Sequence, residues 1–327
     1  MNDYKGLMVF AEQRGGKIHP VSYELLGKGR EIADRLHMEL SSVLLGDGME
    51  EEAKELVYYG ADKVFLYDHP ALKEFNLLSY KHNMVRLVEE VKPDTFVLGA
   101  THLGRSLGPR IAAALTTGLT ADCIGIELDE EDSLIWVRPA FTGNILAYIK
   151  TSTRPQMSTI RYKVMQKRER DPGRSGQIVT KQVELVDPVL TLINKETLRG
   201  VNITEANVIV SGGRGLKRPE DFGILQSLAD VFGGVIGSSR PLVDDGWIGK
   251  EHQVGFSGNT VRPKLYIACG ISGSPQHLAG MRGADTIVAI NADPSAPIFR
   301  IADYGIVGDL YEVVPELTNK LERRCSK

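Results

Sequence analysis

Short apolar runs alternate with amphipathic stretches over the first part of the chain. Gly6–Ala11 is a continuous apolar run of strand length, and Val21–Met38 carries Leu25, Leu26, Ile32, Ala33 and Leu36 on one helical side. Further strands are predicted at Ser42–Leu45, Lys63–Tyr67 and Thr95–Leu98, with helices at Glu50–Tyr59, Ser79–Val91 and Leu107–Leu115 between and after them. Strands separated by helices imply a parallel sheet covered on both faces, an α/β architecture of nucleotide-binding type. From Thr120 the rhythm changes. Asp122–Leu128, Leu134–Pro139, Ile145–Lys150 and Gln156–Arg161 are strand-like with no helix between them, which predicts added antiparallel strands. Gln166–Gln182, charged and bearing glycine and proline, reads as an exposed connection whose basic run is a solvated surface.

Val183–Val201 is expected to bridge to a second domain that opens with a strand at Asn207–Ser211, so the boundary falls between residues 204 and 205, giving domains 1–204 and 205–327. The second domain continues with an SGGRGLK turn, a helix at Asp221–Phe232, a strand at Val235–Gly237 and a long loop to about Pro263. Lys264–Asp293 then reads as strand, glycine turn, short helix and strand. Tyr304–Val307 and a helix around Val314–Arg323 close the chain. The 327 residues suffice for two domains, each with its own core.

Composition narrows the function classes. Apolar residues make up 42% of the chain, charged residues 25%, and the formal net charge is -3. That balance gives no general attraction to nucleic acid or to acidic membranes. Cys123, Cys269 and Cys325 are scattered, which indicates neither a disulfide framework nor a metal or iron–sulfur site. The amino terminus lacks a secretory pattern and no apolar run has membrane-spanning length, so a cytoplasmic protein is expected.

Two glycine turns follow predicted strands. In Gly270-Ile271-Ser272-Gly273, glycine lets the backbone approach a bulky anion, Ser272 and Ser274 add hydroxyl donors, and the N–H groups opening the Pro275–Met281 helix point the same way. A diphosphate would fit there, though such a turn is more often a plain connection. His277 adds a titratable ring at that rim; taken alone it reads as a capped or surface histidine. The earlier turn, Gly99 to Ser106, is open to the same two readings. Neither G-x-G-x-x-G nor G-x-x-x-x-G-K-S/T occurs.

Five loops of the second half are more specific together than singly: VSGGRG at Val210–Gly215, GSSRPLVDDGW at Gly237–Trp247, VGFSGN at Val254–Asn259, GISGSPQH at Gly270–His277 and AINADPSAPIFRIADYGIVGDL at Ala289–Leu310. In this order they resemble the carboxy-terminal, Rossmann-like FAD domain of the electron-transfer flavoprotein alpha subunit. LGATHLGRSLGPRIAA and RPAFTGN at Arg138–Asn144 resemble that family's amino-terminal domain. The resemblance implies that Arg214 and Ser239 contact FAD, that Arg240 lies against the flavin ring, and that Val254, Gly255, Phe256 and Ser257 line its other side. It further implies that Ser272, Gly273, Ser274, Pro275, Gln276 and His277 run from the diphosphate to the pyrimidine end, with Asn291, Asp309 and Leu310 at the adenosine.

Those residue types suit a flavin. A guanidinium such as Arg240 stabilises the negative charge that electron uptake brings to the ring without losing its own proton. A hydroxyl such as Ser257 can bond ring N5, and a donor such as His277 can face the C2 carbonyl. Outside this constellation, Arg240 reads equally as a surface ion-pair partner of Asp244 or Asp245. One departure stands out: the family commonly has Gln-Thr where this chain has Phe256-Ser257, which keeps the hydroxyl and removes an amide.

The wording GPRIAAALTTGLTADC, RPQMSTIR and RPKLYIACGISG is similar to anaerobe-type, flavin-bifurcating or nitrogen-fixation-linked members. The resemblance implies a redox carrier rather than a stand-alone enzyme, one FAD in this chain, and a heterodimeric beta subunit holding a second FAD or AMP. Its partners would be an acyl-CoA dehydrogenase and, in bifurcating members, ferredoxin or flavodoxin, with Val183–Thr204 as a hinge. The rival class is a non-redox module binding an adenine nucleotide.

Overall fold

A computed structural model describes residues 3–140, 145–187 and 202–325. The chain divides into two compact units, Met1–Ile193 and Asn194–Lys327. The stretch 188–201, which holds most of the expected hinge, lies outside the described residues, as do residues 141–144 of the RPAFTGN motif.

In the first unit, β1 (Leu7–Ala11) leads through the short hairpin of β2 (Gln13–Arg14) and β3 (Lys17–Ile18) into α1 (Pro20–Leu36). Then come β4 (Leu40–Gly46), α2 (Glu50–Tyr58), β5 (Lys63–Asp68), α3 (Leu77–Val91), β6 (Thr95–Gly99) and α4 (His102–Ala114). The remaining strands are β7 (Leu119–Cys123), β8 (Gly125–Leu128), β9 (Leu134–Ala140), β10 (Ile145–Ile149), β11 (Gln156–Ile160) and β12 (Gln177–Thr180). Seven of these strands form one sheet in the order β12-β5-β4-β1-β6-β11-β7, parallel throughout. Every residue of β1 is buried, as expected of a central parallel strand covered on both faces. β8, β9 and β10 form the separate antiparallel sheet that the change of rhythm predicted.

Several boundaries differ from the sequence reading, among them Asp122–Leu128, which is split between β7 of the main sheet and β8 of the antiparallel one. Gln156–Ile160 joins the main sheet in parallel between β6 and β7, instead of extending the antiparallel set. A strand's direction is set by its neighbours, which the sequence pattern does not name. Within the expected exposed connection, Gln177–Thr180 is a mostly exposed edge strand held by its ladder to β5. Helix α4 begins at His102 because Thr101 caps it, its Oγ1 accepting from the Gly104 N–H at 3.1 Å.

Thr101 also donates to Oε2 of Glu12 at 2.5 Å, and Glu12, just past the end of β1, is fully buried. Arg14 donates to the other carboxylate oxygen at 2.9 Å. Strand order reverses between β1 and β6, the crevice where such sheets take a ligand. Here the protein's own carboxylate sits beside the glycine turn, and a phosphate would meet like charge. Replacing Thr101 by valine removes the cap and one partner of a buried carboxylate. Urea unfolding of the full chain should show a loss of about 2 kcal/mol; an unchanged midpoint would show that Glu12 does not depend on Thr101.

The second unit runs β13 (Val208–Gly212), α5 (Phe222–Val231), β14 (Val235–Ser238), α6 (Arg240–Asp244), β15 (Leu265–Cys269) and α7 (Pro275–Met281). It ends with β16 (Thr286–Asn291), β17 (Tyr304–Val307) and α8 (Leu310–Cys325). Its five strands are parallel in the order β14-β13-β15-β16-β17. Alternation sorts each strand onto two faces. Ile209, Tyr266, Ala268, Ile287 and Ala289 enter one core with Val254, Met281 and Ile298, whereas Val210, Ile267, Cys269 and Ile290 enter the other with Leu225, Leu228 and Val314. Among the described residues no helix is long and apolar enough to cross a membrane.

Candidate functional site

The strand order of the second unit reverses at β13, so its crevice opens between β13 and β15 at their carboxyl ends. Four of the glycine-bearing loops leave the carboxyl ends of β13, β14, β15 and β16, and the fifth, Val254–Asn259, lies in the connection from α6 to β15 and is tied to the end of β14. Backbone hydrogen bonds tie them into one rim. Gly213 N donates to Cys269 O at 3.0 Å, Gly215 N to Gly270 O at 3.0 Å, and Ser239 N to Gly212 O at 2.9 Å. Val254 N bonds Ser238 O at 2.9 Å, Phe256 N bonds Gln276 O at 2.7 Å, and Gly308 N bonds Asn291 O at 3.1 Å. The loops approach each other more closely than side chains would allow. At Gly273, with φ +87°, an added Cβ would lie 2.5 Å from the Ile298 nitrogen.

The structure brings the expected site residues to this rim in different states. Arg214 follows β13 and is exposed. Ser239, the residue before α6, is buried, while Arg240 is 64% exposed in its side chain and its Nε donates to Asp244 Oδ2 at 3.0 Å. The ion pair considered from the sequence therefore exists, but an exposed pair of this kind contributes little and leaves the guanidinium available. Val254 and Gly255 are buried and Phe256 is 64% exposed. Ser257 Oγ accepts from the amide of the buried Gln253 at 3.1 Å. An amide thus reaches this loop's hydroxyl from three residues earlier than the position where Phe256 replaces one.

Ser272, Ser274, Pro275 and Gln276 are exposed around the buried Gly273. Ser274 holds the N-cap position of α7 without its hydroxyl closing on the helix. Asn291 is largely committed to the fold: its Nδ2 donates to Ile271 O at 3.0 Å, and its Oδ1 accepts from Asp293 N at 3.0 Å. Asp309 Oδ1 accepts from Tyr311 N at 2.9 Å at the start of α8, and Leu310 is a buried core residue. The last two therefore offer a ligand mainly backbone and one carboxylate oxygen.

His277 departs from the surface or capped histidine that the sequence suggested. It is 5% exposed, and its Nε2 lies 3.0 Å from the hydroxyl of Tyr266, which is itself fully buried. Burial pulls the ring's pKa down to about 4, with the Val254 backbone opposing. Its Nδ1 is buried and without a hydrogen-bond partner among the described residues. Sequence reasoning passed over Tyr266, Ser211 and Gln253. The first stood in an apolar strand run and was read only as a strand former; the usable signal was that a buried tyrosine needs a partner for its hydroxyl.

Two family models match the chain: the electron transfer flavoprotein domain over residues 7–186 and the electron transfer flavoprotein FAD-binding domain over residues 202–282. The alpha subunit of the electron transfer flavoprotein of Thermoanaerobacterium thermosaccharolyticum is 49% identical over 328 residues, covering 99% of both chains. The chain belongs to the electron-transfer flavoprotein alpha-subunit family. The LctC subunit of the NAD(+),ferredoxin lactate dehydrogenase of Acetobacterium woodii is 45% identical, over 98% of this chain and 77% of that one. The acryloyl-CoA reductase electron transfer subunit beta of Anaerotignum propionicum is 43% identical, over 98% and 97%.

The rim fits the cofactor of this flavoprotein family. Its donors are two exposed arginines, serine hydroxyls left open at a strand-to-helix turn, and an imidazole nitrogen buried without a partner. These suit an acidic diphosphate joined to a ring with carbonyl acceptors.

Proposed function

We propose that this chain is the FAD-carrying alpha subunit of a heterodimeric electron-transfer flavoprotein. It passes single electrons to or from an acyl-CoA dehydrogenase, within an NADH-dependent flavin-bifurcating complex in the cytoplasm. The observation that carries the reading is the gathering of the five loops at the carboxyl edge of one parallel sheet, tied to one another by backbone hydrogen bonds. The bifurcating assignment draws on the kinship with a subunit named for NAD and ferredoxin together, and the acyl-CoA partner on the kinship with an acryloyl-CoA reductase subunit.

In this reading Arg214, Ser272, Ser274 and the first turn of α7 hold the diphosphate, and Asn291, Asp309 and Leu310 border the adenosine. The loop Val254–Ser257 covers one side of the ring and Arg240 the other. When bound, FAD supplies one-electron transfer; the chain supplies position and charge. The guanidinium of Arg240 offsets negative charge on the ring. Ser257, held by Gln253, presents a hydroxyl, and His277 presents a neutral N–H. Phe256 adds apolar surface that excludes water without adding a donor.

Purifying the chain with its beta subunit tests the assignment. Two FAD per heterodimer and reduction by NADH support bifurcation, whereas one FAD with AMP supports a simple or nitrogen-fixation-linked shuttle. A pair that shows no flavin absorption after FAD is supplied would remove the flavoprotein reading and favour a non-redox adenine-nucleotide module. Arg240→Ala should lower the potential of the first electron by about 1.5–3 kcal/mol, the worth of a hydrogen bond to a charged group. An unchanged redox titration would contradict the role given to Arg240.

A further inference from the structure

The partner of His277 is as informative as His277 itself. Tyr266, the second residue of β15, has no exposed surface, and its hydroxyl lies 3.0 Å from the imidazole Nε2. The rings stand 6.1 Å apart at 58°, so the contact is made through the hydroxyl and not through stacking. Near the phenol lies Ser211 on β13, also fully buried, whose hydroxyl closes no hydrogen bond among the described residues. β15 and α7 thus bring Tyr266 and His277 together in the core.

The direction of the proton between the two follows from relative basicity. A phenol is a stronger acid than an alcohol, and an imidazole nitrogen is a far stronger base than a serine oxygen. Tyr266 therefore donates to Nε2. Burial raises the Tyr266 pKa and lowers that of His277, so the phenol keeps its proton and the ring stays neutral. A neutral ring that accepts at Nε2 carries its single proton on Nδ1. The backbone of Val254 lies against the ring and favours its protonated form, while no geometrically closed hydrogen bond reaches Nδ1 among the described residues.

We infer that Tyr266 is a positioning residue for the flavin site: through its hydroxyl at Nε2 it fixes His277 in the Nδ1–H form and presents that one donor to the ligand. The inference rests on the proposed placement of the flavin's pyrimidine end beside His277. It adds a role for a core residue that touches no ligand.

Two measurements separate this role from packing alone. The first needs no cofactor. Nitrogen-15 spectra of the full chain, with its histidines labelled and His277 assigned by loss of its signal in His277→Gln, should show a protonated Nδ1 and an unprotonated Nε2. A protonated Nε2 overturns the inference. The second is the first one-electron potential of FAD in the heterodimer. Tyr266→Phe should retain FAD at the wild-type ratio and shift that potential downward, in the direction of His277→Gln. Adding Tyr266→Phe to His277→Gln should then produce no further shift. An unchanged potential in Tyr266→Phe beside a lowered one in His277→Gln overturns the inference, as does an equal shift in both backgrounds. Should Tyr266→Phe fail to fold, the wild-type tautomer decides. A heterodimer without FAD would defeat the proposed function and leave the tautomer measurement to decide the relay alone.

Discussion

Replacing Gly280 by alanine should push helix α7 away from the loop that precedes it and release FAD from the heterodimer. A Cβ at residue 280 would stand 2.4 Å from both the Cα and the N of Gly255, a distance no real Cβ tolerates. The opposing atoms are backbone, so no side-chain rotation relieves the clash. Two hydrogen bonds bracket the contact, Phe256 N to Gln276 O at 2.7 Å and Val261 N to Gly280 O at 2.7 Å. Separation of the two segments strains or breaks both. Overpacking of this kind costs about 2–3 kcal/mol, and the loss falls on the wall that places Val254–Ser257 against α7. Thermal unfolding of the full chain and the FAD remaining after gel filtration of the heterodimer measure the two effects. Gly283→Ala is the control: a Cβ there meets only the Arg262 side chain, at 3.6 Å. Equal behaviour of the two variants would show that the 255–280 contact is not held in solution.

The two parallel sheets were legible because each strand is a continuous apolar run and each helix has a separate period. Gly6–Ala11 and Lys63–Tyr67 became β1 and β5 with shifts of a residue at most. Failure came where a strand is defined by its partner. Gln177–Thr180 buries little and reads as a polar connection, yet its ladder to β5 makes it a strand. At the candidate site the loops could be read because glycine and hydroxyl residues cluster at strand ends, and the family resemblance ordered them along a cofactor. What lay deeper could not be read. Tyr266 occupies a position that any apolar residue could fill, and only the packing of α7 on β15 reveals that it meets His277. The sequence likewise gives no sign that Glu12 closes the corresponding crevice of the first unit, since β1 and Thr101 are far apart along the chain and join only when β1 and β6 pair.

Stability of the chain should fall between about pH 6.5 and pH 4 through His277. An unfolded histidine takes up its proton near pH 6.5, whereas burial holds the folded ring neutral down to about 4. Between these limits the unfolded state binds one more proton than the native state, so acid favours unfolding. The contribution is fully present above the unfolded value, declines as pH falls through the window and is exhausted once both states are protonated. Over the whole window it amounts to about 3 kcal/mol. The groups that face the ring do not blur this slope: burial raises the Tyr266 pKa, so it stays a phenol throughout, and Ser211 does not titrate. Carboxylates such as Asp122, which burial works to raise but Arg161 and Arg105 hold below the usual range, lose their contribution only at more acid pH. Unfolding free energies at pH 8 and pH 5 should therefore drop by about 2 kcal/mol more in wild type than in His277→Gln. Parallel pH profiles would show that the ring is solvated in solution. A solvated ring could take up a second proton and lose its contact with Tyr266, so the same burial that makes the fold acid-sensitive is what keeps a single neutral donor at the rim.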